Sequence, residues 1–217
     1  MSTLVQIPGG GTFDPVLHEY RTEAGVVVPS TTQIGDSLGF SDFDAVPGDT
    51  LERKRAIGDA AHYACHLLDT GQDLDWSTVH TDVAPYVLAY LNFQEEMKFV
   101  VEESEVPGIF TANGMPFSFT RDKVGKLGNI PHRFVVELKC AYKEEAFWRY
   151  QLASYDIAVP RKFPGEYLGR LAVQLKPDGT YKTYLYENPR DKDRFLYMLA
   201  VVHVKIEHKL KWKREKL

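Results

Sequence analysis

Six residues near the middle of the chain, Phe134-Val135-Val136-Glu137-Leu138-Lys139, restrict its fold more than any other stretch. The run is apolar and rich in β-branched residues until it turns charged at its far end. That profile belongs to a buried strand whose end emerges into a cleft. Side chains alternate across a strand, so Glu137 and Lys139 share one face while Leu138 packs on the other. Upstream, Phe119-Thr120-Arg121-Asp122, continuing as Lys123-Val124-Gly125, reads as a second short strand joined to the first by a turn. Residues 115–140 therefore predict a hairpin that sets the Asp122 carboxylate against Glu137 and Lys139. Two carboxylates and a backbone carbonyl, that of Leu138, are enough protein for a hard cation such as Mg²⁺, which keeps several of its waters. A lysine beside them can orient or deprotonate a metal-bound water, or offset charge building on a phosphate. On spacing alone, an ordinary cross-strand ion pair accounts for the same residues.

The flanking chain supplies the layers. Residues 1–14 are glycine-rich and are expected to be mobile or lightly packed. A small hairpin is expected from residues 18–21, a turn at Ala24-Gly25 and Val26-Val27-Val28, with Ser30 placed to cap a short helix over 31–38. Residues 42–49 read as loop. A helix over 51–69, stopped near Gly71, carries Gly58, His62 and His66 on one face. Two histidines at that spacing can hold a transition metal, but no third ligand type is evident nearby, and satisfied or solvated histidines explain them as well. A second helix over 81–99 has Val83, Val87, Tyr90, Leu91 and Met97 as its apolar stripe. The strand over 100–106 puts Glu103 and Glu105 on one face, which a charged edge strand also explains.

Beyond the central hairpin, a helix over 144–159 has Phe147, Gln151 and Tyr155 at four-residue spacing, with Trp148 and Tyr150 adding aromatic surface. Aromatics so spaced are usually core, but a glutamine within the stripe is less easily explained that way. Lys176-Pro177-Asp178-Gly179 predicts a turn between strands over 171–175 and 181–186. The last helix, 189–213, has Phe195, Leu199, Val202, Ile206 and Leu210 as its stripe. The expectation is an α/β (α+β) fold, one domain over 1–217, with a mixed central β-sheet flanked by helices and the helix through 150–155 as a crossover.

The charged hairpin resembles that of the PD-(D/E)XK nuclease superfamily, and specifically its RecB-like, phage-type exonuclease branch. There a Gly-Thr-x-Asp strand precedes a strand ending in (D/E)-x-K, matched here by Phe119 to Asp122 and by Glu137-Leu138-Lys139. Gly58-Asp59-Ala60-Ala61-His62 is similar to the family's upstream G-x-x-x-H helix, Tyr150 to Tyr155 to its downstream Q-x-x-x-Y helix, and Val28-Pro29-Ser30-Thr31-Thr32-Gln33-Ile34 to its entry segment. The similarity runs from about residue 18 to 208, with the pieces in the family's order. It implies a restriction-endonuclease-like core and a DNA nuclease. Asp122, Glu137 and the Leu138 carbonyl would bind Mg²⁺ or Mn²⁺, with His62 and Glu105 completing the ligands, Lys139 positioning the nucleophile, and Gln151 and Tyr155 holding the strand. It also implies action on linear ends, a single-strand annealing or binding protein as a partner, and an oligomeric ring in some members. Two positions depart from the pattern: Phe119 stands where the family has glycine, and Cys140 where it often has threonine. They leave open altered specificity, a restriction-like or structure-specific endonuclease, or a nuclease fold that binds DNA or protein without cutting.

Composition removes other classes. With two cysteines, Cys65 and Cys140, the chain cannot supply the four thiolates of the iron–sulfur cluster that some relatives carry, and reduced core thiols are expected. No apolar run reaches the length of a membrane span, and the start, MSTLVQIPGGG, lacks the basic and apolar regions of a signal peptide. The expected location is the cytoplasm, and the resemblance implies that of a bacterium or phage-infected cell. Net charge is −4, yet residues 205–217 hold five lysines and one arginine against two glutamates, either a solvated helix end or a phosphate-contacting patch.

Overall fold

The computed structural model describes residues 4–7, 10–17, 19–40 and 47–212. A small sheet comes first: β1 (Val5–Gln6), β2 (Thr12–Asp14), β3 (Glu19–Arg21) and β4 (Val27–Val28), paired antiparallel in sequence order. Of residues 1–14, 4–7 and 10–14 are described, and among them Ile7 is buried with Tyr20 and Val28, against Phe13 and Ile109. Of the expected hairpin, His18 lies outside the described residues; Tyr20 and Val28 face each other as paired strands. Ser30 caps α1 (Thr31–Ser37) in a full capping box with Gln33.

Helices α2 (Gly48–Asp69) and α3 (Ala84–Met97) follow. Gly48 and Asp49, expected in a loop, belong to α2, and residues 41–46 lie outside the description. The stripe of α3 is centred on Val87, Tyr90 and Phe93, while Leu91 and Met97 are only partly buried. Lys98, left-handed at φ 49°, ends α3, so Phe99 opens a strand instead of closing the helix.

The main sheet has five strands in the order β5 (Phe99–Ala112), β6 (Met115–Leu127), β7 (Arg133–Lys139), β8 (Leu168–Leu175) and β9 (Tyr181–Leu185). It is mixed: β7 and β8 run parallel, joined by the crossover helix α4 (Trp148–Ala158), and the other neighbours are antiparallel. The first two strands are twice the expected length, because Asn113-Gly114, with φ of 51° and 77°, makes a tight hairpin turn that extends their pairing to Ala112 and Met115. Alternation along β7 separates two cores. Val135 packs with Leu152, Phe195 and Leu199 of α4 and α5 (Arg190–Glu207), whereas Val136 and Leu138 pack with Ala89, Tyr90 and Phe93 of α3. Trp148 is buried against the Tyr184 ring rather than displayed.

The last helix ends at Glu207, short of 213, because Lys209 turns left-handed at φ 55° and Leu210 is exposed. Lys205 of the expected basic patch bonds to the Ser37 carbonyl at 2.7 Å, and residues 213–217 lie outside the description. Among the described residues, no helix is long and apolar enough to cross a membrane.

One buried ion pair clamps the crossover. Arg133 donates from Nε and a terminal nitrogen to the two oxygens of Glu166, at 2.8 and 2.9 Å, and to the Pro160 carbonyl at the exit of α4. The Arg133 hydrogen bonds, helped by the Lys162 N–H, hold the Glu166 carboxyl down at about 2. The folded value lies below the unfolded one, so this contribution is complete above about pH 4.5 and is lost as pH falls through about 2. Melting temperature should therefore drop more steeply across that window in the wild type than in Glu166→Gln, as followed by circular dichroism. Parallel pH profiles would remove the clamp.

Candidate active site

The β6–β7 ladder is short. It runs from Lys126 opposite Arg133 to Lys123 opposite Val136 and ends there. Beyond that point β6 stays with β5 and β7 stays with β8. Asp122 is the first residue past the ladder, and its Oδ2 accepts the N–H of Leu138 at 2.7 Å. A carboxylate thus replaces the next rung and holds the mouth of the split open. The Leu138 side chain is buried on the α3 side, as its parity requires.

Glu137, Lys139 and Gln151 close into a triangle. Lys139 Nζ donates to Glu137 Oε1 at 2.7 Å and to Gln151 Oε1 at 2.8 Å, and Gln151 Nε2 donates to the same Glu137 oxygen at 2.7 Å. Gln151 Nε2 also donates to the Tyr155 hydroxyl at 2.9 Å, which leaves that hydroxyl's own proton free to donate. The second Glu137 oxygen, Oε2, is buried and has no hydrogen-bond partner. Such an atom costs free energy unless a ligand satisfies it.

The third side comes from α2 and β5. His62 Nδ1 lies 3.3 Å from Glu105 Oε1 and 3.6 Å from Asp122 Oδ1. Glu105 faces them from a left-handed backbone, φ 52°, which costs a non-glycine residue roughly 1–2 kcal/mol. Among the described residues, His62, Glu105 and Asp122 form a group whose ligand atoms all lie within 4.8 Å of one another. Two carboxylates and an imidazole so close together fit a divalent cation.

Electrostatics separate the groups. Burial, then the charge of Asp122, raises Glu137 above the usual carboxylate range. Burial also raises Asp122, with His62 opposing it. For His62 burial acts downward, but Asp122, Glu105 and Glu137 outweigh it and push the imidazole up to about 9. Burial likewise opposes the charge on Lys139, and Glu137 and Asp122 overcome it, so its ammonium sits above the ordinary lysine value. The two acids thus favour the charged form of Lys139. Burial pushes the Cys140 thiol up to about 12 and Cys65 well above its usual value; both are free, and neither is an activated nucleophile.

No family model matches the chain, and no curated protein does. Among solved structures it is similar to an alkaline exonuclease from Laribacter hongkongensis, at 16% identity and a TM-score of 0.37, over 84% of this chain and 92% of that one. It is also similar to the protein SSO0001, at 14% identity and a TM-score of 0.36, over 60% of this chain and 59% of that one. The match thus spans less than two thirds of SSO0001.

The fold brings together every side chain that the sequence singled out for this site: Asp122, Glu137, Lys139, His62, Gln151, Tyr155 and Glu105. Glu103, on the same face by parity, instead pairs with Arg121 at 2.5 Å. His66 is a satisfied histidine, bonded to Ser104 Oγ at 2.9 Å. Phe119 has a local explanation. It pairs with Gly108 of β5, where any Cβ would meet its ring at 2.6 Å, so the ring takes the space that a side chain at 108 would need. The Phe119 ring braces Tyr155, with centroids 6.0 Å apart.

Behind Glu105 lies a network that the sequence did not reveal. Lys123, with no exposed side-chain surface, donates to Asp69 at 2.7 Å and to Ser104 at 2.8 Å, and its ammonium sits 3.7 Å from Glu105. Asp69 also accepts from Tyr90, Gln94 and Ser104. A lysine and an aspartate 54 positions apart carry no shared periodicity; only an acid at the end of an apolar helix face hints at it. Lys123→Met should cost about 3–5 kcal/mol in urea unfolding by stranding the Asp69 charge, and Lys123→Met with Asp69→Asn should recover much of it. Additive losses would mean that the two charges do not depend on each other.

Proposed function

We propose that this chain is a divalent-metal-dependent deoxyribonuclease, of an exonuclease type that works from the ends of linear DNA. The observation that carries the reading is the group of His62, Glu105 and Asp122 ligand atoms, all within 4.8 Å of one another where β6 and β7 split, with a buried Glu137 oxygen left unpartnered. The ordered motifs of the sequence favour nucleic acid as the substrate and chain ends over internal sites.

In this reading Asp122, Glu137, Glu105, His62 and the Leu138 carbonyl hold Mg²⁺ or Mn²⁺. When bound, such an ion lowers the pKa of a coordinated water and offsets charge on the scissile phosphate. The protein's own part is positional. Gln151 fixes Lys139 Nζ and Glu137 Oε1 in one plane of hydrogen bonds, so the ammonium is preorganised where negative charge develops on the phosphate. It also orients the attacking water. The Tyr155 hydroxyl, its proton free and its pKa raised well above the ordinary value by burial, stays a donor for a phosphate oxygen. His62 and Glu105 close the cleft from the α2 side. A single domain in the cytoplasm of a bacterium or phage-infected cell, working beside a strand-annealing protein, suits such an activity.

Linear duplex labelled at one 5′ end, with Mg²⁺ or Mn²⁺, tests the reading. Wild type should digest it, Lys139→Ala should lose about a hundredfold or more in rate while keeping its fold, and Asp122→Ala should be inactive. Early release of labelled mononucleotide would give the polarity; opening of closed plasmid would make it an endonuclease instead. Full activity in Lys139→Ala would sink the mechanism. By calorimetry, Mg²⁺ should bind the wild type and not Asp122→Ala; equal binding would place the ion elsewhere.

A further inference from the structure

We propose that Tyr142 is a stacking platform for an unpaired base of the strand entering the site, so that the substrate is single-stranded DNA or the frayed end of a duplex. This rests on the nuclease reading. Tyr142 is 96% exposed, three positions beyond Lys139. An aromatic ring carries a large apolar payload, and one held wholly in water has nothing in its own chain to pack against.

The loop that lifts it is anchored on both sides. Gln174 Nε2 donates to the Ala141 carbonyl, and the Tyr186 hydroxyl donates to Glu144 Oε1, each at 2.8 Å. The ring is therefore raised from a fixed base. The loop also borders the cleft: Cys140 before it packs against Ala61 and Ala64 of α2, and it leaves β7 directly after Lys139, which is bonded to Glu137. Lys143, exposed beside the ring, supplies a cation for a backbone phosphate. Every base has a π face, so an exposed ring with a neighbouring cation takes a strand without reading its sequence. Within a duplex those faces are already stacked. Only an unpaired base or a chain end offers one.

The test measures anisotropy of a labelled single-stranded oligonucleotide on Lys139→Ala protein, using an intact strand and the same strand with abasic sites. Adding Tyr142→Ala should weaken binding of the intact strand about tenfold. Tyr142→Phe should keep it. Phe163→Ala, which removes another exposed ring beside Glu166 at the opposite end of β7, should change nothing. The abasic strand should bind the parent less tightly, and that difference should vanish in Tyr142→Ala. With Lys139 intact, Tyr142→Ala should raise KM and leave kcat unchanged. Equal discrimination with and without the ring, or no binding at all, overturns the proposal. If the coupling holds but wild type cuts nothing with Mg²⁺ or Mn²⁺, the nuclease reading falls and the platform stands. If wild type cuts and the coupling is missing, the reverse is true.

Discussion

The hydrogen bond from the Leu138 N–H to the Asp122 carboxylate is the constraint on which the site rests. Had β6 and β7 stayed paired one step further, that N–H would be bound within the ladder and Asp122 would have no reason to turn inward. Because the ladder ends at Lys123, a charged side chain can do the work of a backbone carbonyl without leaving a buried donor orphaned. The split then exposes the ends of both strands to helices from either side. Lys139 and Glu137 meet Gln151 of α4, and Asp122 meets His62 of α2.

Concentrating three carboxylates in a largely buried cleft is expensive, and the surrounding chain offsets the cost with cations at fixed distances. Lys139 answers Glu137, His62 answers Asp122 and Glu105, and Lys123 stands behind Glu105 while satisfying Asp69. The left-handed backbone at Glu105 is held in the same way, by groups on two sides rather than by its own conformational preference. Such arrangements persist only where neighbouring packing fixes them, and here α2, α3, β5 and β6 all contribute.

Much of this was legible in the sequence, and for identifiable reasons. β7 announces itself because one strand buried on both faces has to be apolar until it leaves the core, and the parity of Glu137 and Lys139 follows from the pleat alone. The glutamine in the α4 stripe stands out because it does not fit a core, and its amide is bonded to Lys139 and Glu137. The Pro-Asp-Gly turn fixed the β8–β9 hairpin. What escaped depended on tertiary contact. The length of β5 and β6 depends on pairing that runs the whole way to the turn at Asn113-Gly114. Trp148 and Phe119 are explained only by partners distant in sequence, the Tyr184 ring and Gly108. Lys123 and Asp69 meet because two helices and two strands converge. No periodicity encodes that.

The two halves of the site differ in how they are attached. Glu137, Lys139, Gln151 and Tyr155 belong to one continuous strand–helix unit buried in the main core, so they form and survive together. His62 arrives on α2, whose buried residues are only Ala61, Ala64 and Cys65 and whose first three turns lie mostly in solvent. Turns held by so few contacts open at lower free energy than the core. The first turns of α2 would then fray before global melting, while its far end, tied to the sheet through Asp69 and Lys123, stays in place. Loosening of the helix and unfolding of the sheet would be two separate events in this protein.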